Sequence, residues 1–104
     1  ARKKWVISSV SPKGELIIDD GAKKALTNGK SLLAAGIKQV IGKFNKGDHI
    51  KILDKSKNEI ARGLSSFSSE EVNKILGHHS KEIKDILGYI SKSEVVHKDD
   101  MVKV

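Results

Sequence analysis

Residues 19–37 read DDGAKKALTNGKSLLAAGI, and the order of caps, stripe and glycines in these nineteen residues sets the frame for the rest of the chain. Asp19 and Asp20 carry side-chain oxygens that can accept the free N–H groups of a helix start, and their charge suits the positive end of its dipole. Ala22, Ala25 and Leu26 follow at i, i+3, i+4 spacing and make one narrow apolar stripe. Asn28 and Gly29 predict the helix stop, because a left-handed C-terminal residue costs glycine least. Lys23, Lys24 and Lys30 are expected on the exposed side. Lys30 and Ser31 directly follow the glycine, where backbone amides and an ammonium can converge on an anion. Gly36 has no side chain to hold a partner backbone away from the strand expected to start at Ile37.

Gly29-Lys30-Ser31 matches the end of a nucleotide-binding P-loop, but that loop needs a glycine five positions earlier, where this chain has Lys24. The P-loop also lies between a strand and a following helix, whereas here the expected helix comes first. The motif is therefore rejected.

Working outward, Lys4 to Val10 alternates and reads as a strand, broken by the turn Ser11-Pro12-Lys13-Gly14. Glu15 to Ile18 is a short second strand leading into the helix. Beyond it, Ile37 to Ile41 is a strand ended by Gly42, and Lys46-Gly47-Asp48 is a tight turn. His49 to Asp54 and Glu59 to Leu64 form the clearest hairpin, joined by Lys55-Ser56-Lys57-Asn58. Gly63 inside its second strand predicts a bulge or a close backbone approach. At Phe67 the period changes to helical. Ser68 and Glu71 form a capping box, Phe67 and Val72 a hydrophobic staple, and Gly77 ends the helix. A second short helix runs from Ser80 to Gly88 with Ile83, Ile86 and Leu87 as its stripe. Glu94 to His97 and Met101 to Val104 return to β-like residues and are expected to pair with the first strand and close a barrel.

With 104 residues and 11.4 kDa there is room for one domain, or for one domain and a helical appendage. There are no cysteines, so disulfides and thiolate zinc are excluded, which fits a reducing, intracellular setting. No apolar run approaches the roughly 18 residues of a membrane span, which predicts a soluble, cytoplasmic protein. The chain opens Ala1-Arg2-Lys3-Lys4 without an initiator methionine, as a fragment of a longer protein would. Net charge is +7, but residues 1–67 carry net +8 and residues 68–104 net −1. Lysine outnumbers arginine 18 to 2, which favours phosphate contact over reading of base edges. Four aromatic residues are too few for a single-strand stacking platform.

No constellation looks catalytic. Gly63-Leu64-Ser65-Ser66-Phe67 resembles a nucleophile elbow but puts Phe67 where its last glycine belongs. The adjacent His78 and His79 point their rings apart, His49 and His97 are single residues in expected strands, and no metal site is expected. The chain reads as a binding or regulatory module.

The words GELIIDDGAKKAL, NGKSLLAAGI, GKFNKGDHIKI and EIARGLSSFSSEEV, taken in order, resemble a PUA domain. The opening Lys4-Trp5-Val6, the segment SKEIKDILGY from Ser80 to Tyr89, and the closing Val96-His97-Lys98-Asp99 are similar to the C-terminal PUA domains of bacterial glutamate 5-kinases. Ala34 stands where that family commonly has proline, and Phe67 where it has tyrosine.

The resemblance implies a mainly β (α+β) pseudo-barrel of about six strands, with one helix after the second strand and two C-terminal helices. A single domain would span residues 1–104, with its core over about 4–67 and a helical appendage and closing strand over about 68–104. It also implies a catalytic amino-acid-kinase domain N-terminal to Ala1, using ATP and Mg to phosphorylate L-glutamate in the first step of proline biosynthesis, in an oligomer. No cofactor is expected in residues 1–104 themselves. RNA-binding PUA domains grip structured RNA with their central helix, the loop after it and the next strand. Carried over, that surface is Lys23, Lys24, Gly29, Lys30, Ser31, Gly36 and Lys38. Two functions stay open: a structural or regulatory appendage of the kinase domain, and an RNA-binding module.

Overall fold

The computed structural model describes residues 12–88 and 94–103, apart from the side chain of Ser80. The expected first strand, Lys4 to Val10, lies outside the described residues, and so does its pairing with the chain's end.

Strand β1 (Gly14–Ile18) sits inside a five-stranded mixed sheet, between Ile37–Gly42 (β3) on one side and His49–Leu53 (β4) on the other, followed by Glu59–Leu64 (β5) and Met101–Lys103 (β7). Its residues are nearly all buried because both of its edges are covered. β3 (Ile37–Gly42) runs antiparallel on one side, from Gly14 opposite Gly42 to Ile18 opposite Ile37. β4 (His49–Leu53) runs parallel on the other, from Gly14 opposite Ile50 to Ile17 opposite Leu53. Gly14 is thus the first residue of a strand rather than part of the turn before it. A Cβ there would lie 2.5 Å from the Phe44 ring and 2.8 Å from the Ile41 carbonyl oxygen.

The hairpin β4–β5 (Glu59–Leu64) forms as the alternation predicts. Its ladder slips between Ile52–Ala61 and Leu53–Glu59, so the extra residue is Ile60 and not Gly63. Gly63 instead permits close approach, since a Cβ on it would meet Val96 Cγ1 at 2.6 Å and the Asp100 carbonyl oxygen at 2.9 Å. β7 (Met101–Lys103) can therefore lie against β5. β6 (Glu94–Val96) pairs with β2 (Leu32–Leu33), a strand too short for alternation to reveal. The closing segments thus find partners in β5 and β2.

Helix α1 (Asp20–Thr27) follows β1, α2 (Ser69–Ile75) follows the hairpin, and α3 (Ile83–Leu87) grows out of the 3₁₀ turn Ser80–Glu82. The α2 entry has both halves of its capping box, Glu71 N–H donating to Ser68 Oγ at 3.2 Å and Ser68 N–H to Glu71 Oε1 at 2.8 Å. Phe67 and Val72, the staple pair, are fully buried. Burial of Phe67 alone stabilises by roughly 1.5–3 kcal/mol. One core runs beneath both sheets, from Leu16 and Ile52 through Phe67 to Leu32, Val95 and Val96. Among the described residues the strands form these two sheets around a common core rather than one continuous ring.

Candidate functional site

The central helix is capped as its sequence predicts. Ala22 N–H donates to Asp19 Oδ1 at 2.7 Å, and Gly29 adopts the left-handed conformation with φ of 79°. The C-terminal cap is closed by two amides: Gly29 N–H donates to the Leu26 carbonyl and Lys30 N–H to the Ala25 carbonyl, each at 3.0 Å. The Gly29 and Lys30 amides are therefore engaged by the helix end. Ser31 is engaged too, its Oγ accepting the Lys98 N–H at 2.8 Å.

Lys23 is not a free cation. Its Nζ lies 3.1 Å from Asp54 Oδ2 in the loop after β4. Asp54 is almost fully buried, and its Oδ1 accepts the Ser56 and Asn58 N–H groups at 2.9 Å each. The Asn58 N–H, and after it the Lys23 ammonium, hold this carboxyl below the usual carboxylate range against the opposing cost of burial. A second pair of reversed sense, Lys55 to Asp20 at 2.9 Å, joins the same loop to the same helix. Two ion pairs thus fasten one side of α1 to the hairpin tip. Arg62, on the same strand, and Lys51, across the hairpin, both face Glu59, whose carboxyl is lowered chiefly by its hydrogen bond from Arg62.

Gly36 makes a close approach of a different kind from the one expected. A Cβ built on it would lie 2.4 Å from Ala22 Cβ, and its carbonyl accepts the Asp19 N–H at 2.9 Å. The 3₁₀ turn Ala34–Gly36 is drawn onto α1, so the missing side chain serves internal packing. Lys38 is the extra residue where the β1–β3 ladder slips. Lys24, Lys30 and Lys38 are exposed and hold no ion pair among the described residues. Of the seven predicted residues, the fold gives internal partners to Lys23, Gly29, Ser31 and Gly36. It leaves the side chains of Lys24, Lys30 and Lys38 at the surface.

The other side of α1 is open. A groove of about 440 Å³ runs between Gly21, Ala22 and Ala25 of the helix and Leu33, Ala35 and Gly36 of the following segment. Asp19, Lys30, Ser31 and Glu94 complete its wall. Leu33, 43% exposed, is the one large exposed hydrophobic among the described residues. Sequence reasoning missed this groove. Its only local signal is the pair Leu32-Leu33, of which the fold buries the first and exposes the second.

Ser65 and His97 serve local structure. Ser65 Oγ donates to the Phe67 carbonyl and accepts the Phe67 N–H, a turn rather than a nucleophile. His97 lies outside a strand and caps the 3₁₀ turn Lys98–Asp100, its Nδ1 accepting the Asp99 N–H at 3.0 Å. His49 is buried within β4. Among the described residues no three His, Asp or Glu side chains are grouped to hold a metal ion, and no helix is long and apolar enough to cross a membrane.

The model of the PUA domain family matches residues 14–87, from the first residue of β1 to the last of α3. The chain belongs to the PUA domain family. This PUA domain is 78% identical over 104 residues to the glutamate 5-kinase of Pelagibacter ubique (strain HTCC1062), covering all of this chain and 28% of that protein. It is 48% identical over 102 residues to the glutamate 5-kinase of Agrobacterium fabrum, covering 98% of this chain and 26% of that one. It thus spans about a quarter of the length of the curated relatives it matches. Among solved structures, the PUA domain of Aeropyrum pernix K1 in its tartrate complex superposes with a TM-score of 0.61 at 23% identity, over 82% of this chain and 41% of that chain. A chain of an H/ACA RNP bound to a substrate RNA containing 2′-deoxyuridine gives a TM-score of 0.60 at 23% identity, over 88% of this chain and 23% of that chain. At such identities the likeness is one of fold.

Proposed function

We propose that this PUA domain, over residues 1–104, is the non-catalytic C-terminal part of a cytoplasmic, oligomeric glutamate 5-kinase, the enzyme that transfers the ATP γ-phosphate to the side-chain carboxylate of L-glutamate. Its role is that of a structural and regulatory appendage to an amino-acid-kinase domain preceding Ala1. The observation that carries this reading is identity of 78% along the entire chain, flanking segments included, to a protein of that name. On this reading ATP and Mg²⁺ are ligands of the amino-acid-kinase domain, as the resemblance to glutamate 5-kinases implies. Both ligands belong to the remainder of the polypeptide.

The test is a chimera in which this chain replaces the matching 28% of the Pelagibacter protein. Glutamate-dependent ATP turnover should survive the replacement and be absent from the 104-residue chain alone. A folded but inactive chimera, or turnover by this chain on its own, would overturn the reading.

RNA binding is the second reading, favoured by the exposed Lys24, Lys30 and Lys38 and by the RNA-bound neighbour of the same fold. Micromolar binding of a structured RNA that weakens with salt and is lost in Lys24→Glu/Lys30→Glu is expected on that reading. Binding indifferent to those charges sinks it.

A further inference from the structure

Of the four asparagines in the chain, Asn28 is the one followed by glycine. Both Asn28 and Gly29 are exposed at the end of α1. An asparagine side-chain amide can be attacked by the backbone nitrogen of the next residue, and glycine, having no Cβ, shields that nitrogen least. The bond from Gly29 N to Asn28 Cγ forms and the bond from Cγ to the side-chain nitrogen breaks. Ammonia leaves with the proton of the Gly29 amide, and a five-membered succinimide remains. Water then opens either carbonyl of that ring to give aspartate or isoaspartate, so solvent is the only co-reactant.

The fold opposes the first step. Asn28 has a ψ of 11°, which eclipses its own nitrogen with that of Gly29 and turns its Cβ well away, whereas ring closure needs the Cβ in the eclipsed place. Turning ψ would pull the Gly29 N–H from the Leu26 carbonyl and the Lys30 N–H from the Ala25 carbonyl. The closing segment resists this from the far end of the chain. Lys103 Nζ donates to the Thr27 carbonyl at 3.2 Å, and the Lys98 N–H donates to Ser31 Oγ at 2.8 Å. Both flanks of Asn28-Gly29 are thus tied to residues 98–103.

We propose that Asn28 is a deamidation site held shut by the fold, which reacts only when the end of α1 opens and whose opening is limited by the closing segment. The change is one-way. An aspartate there puts a carboxylate at the negative end of the helix dipole, and an isoaspartate adds a methylene to the backbone within the cap. Either product weakens the end of α1 and loosens the loop that carries Lys30 and Ser31.

The test is peptide mapping by mass spectrometry after incubation at neutral pH. The 104-residue chain, the same chain in denaturing guanidinium chloride and a synthetic peptide of residues 24–33 are compared. Deamidation at Asn28 should be at least about tenfold slower in the folded chain than in the peptide, and in denaturant as fast as in the peptide. Lys103→Ala is remote in sequence and leaves the intrinsic chemistry of the pair untouched. It should raise the rate several-fold while amide exchange in β4 and β5 stays as in the wild type. Ser31→Ala, which removes the acceptor of the Lys98 amide, should act in the same direction. Equal rates in the folded chain and the peptide, or unchanged rates in both variants, overturn the proposal. Asn28→Asp, one product made directly, should speed amide exchange at Gly29 and Lys30 in the otherwise folded chain; unchanged exchange there overturns the weakening of the cap.

Discussion

The two sides of helix α1 are built from residues a few positions apart and behave in opposite ways. One side carries Asp20, read from the sequence as a helix-start charge, and Lys23, read as part of an anion site, and they are held by Lys55 and Asp54 of the hairpin tip. The other carries Gly21 and two residues of the apolar stripe, Ala22 and Ala25, and it bounds the open groove. Charge on a surface helix is thus a poor guide to function when a loop from elsewhere can neutralise it. Lack of side-chain bulk, in contrast, leaves space that only the tertiary fold reveals.

The largest loss of stability is expected at Gly36. Gly36→Ala puts a methyl 2.4 Å from Ala22 Cβ, with no flexible side chain to give way. Overpacking of this kind costs about 1–3 kcal/mol, read as a lower denaturant midpoint. Adding Ala22→Gly should recover part of the loss, so that the double variant is more stable than the sum of the two single effects predicts.

Asp54→Asn attacks the fastened side with a smaller effect. It removes the partner of Lys23 and weakens the acceptor shared by the Ser56 and Asn58 amides. Amide hydrogen exchange at those two residues should accelerate, while exchange in Leu26 and Ile37, in the core, stays as it was.

Acid sharpens the same contrast. Because the Asp54 carboxyl is lowered in the fold, the unfolded chain takes up its proton first as pH falls. Its stabilisation is complete above the ordinary carboxylate range and is lost as pH drops through the depressed value. Melting temperatures measured from neutral to acid pH should fall more steeply for the wild type than for Asp54→Asn. Parallel curves would show that the pair contributes nothing.

The smallest change is expected at Leu33. In the isolated chain Leu33→Ser should alter stability by no more than about 0.5 kcal/mol, because a half-exposed side chain outside the core has little to lose. A larger loss would make Leu33 part of the core and not of an open surface.

Features set by neighbours in the chain were legible beforehand. The Asp19 cap, the Gly29 stop, the Ser68–Glu71 capping box and the β4–β5 hairpin each depend on residues within one turn or one loop. What was not legible joins distant segments. Lys23 meets Asp54 across 31 positions, and Ser31 meets the Lys98 amide across 67. Nothing near Lys23 or Ser31 announces a partner so far along the chain. β2 is two residues long, too short to show a period, and the slips at Lys38 and Ile60 answer to ladder geometry that single strands do not encode. Of the candidate site, the exposed Lys24 and Lys30 could be read from the sequence, whereas the groove could not.

The parallel pairing of β1 with β4 also bears on how the chain folds. β4 and β5 can zip together across a short loop, but β1 must wait for a strand whose register partner Ile50 lies 36 positions after Gly14, with α1, β2 and β3 in between. Closing so long a loop is slow, whereas the hairpin forms in microseconds. Mutations in the hairpin are therefore expected to slow refolding, and mutations at Leu16 or Ile18 to act mainly by speeding unfolding. The groove, which needs the turn Ala34–Gly36 set against the helix, would appear only when folding is complete.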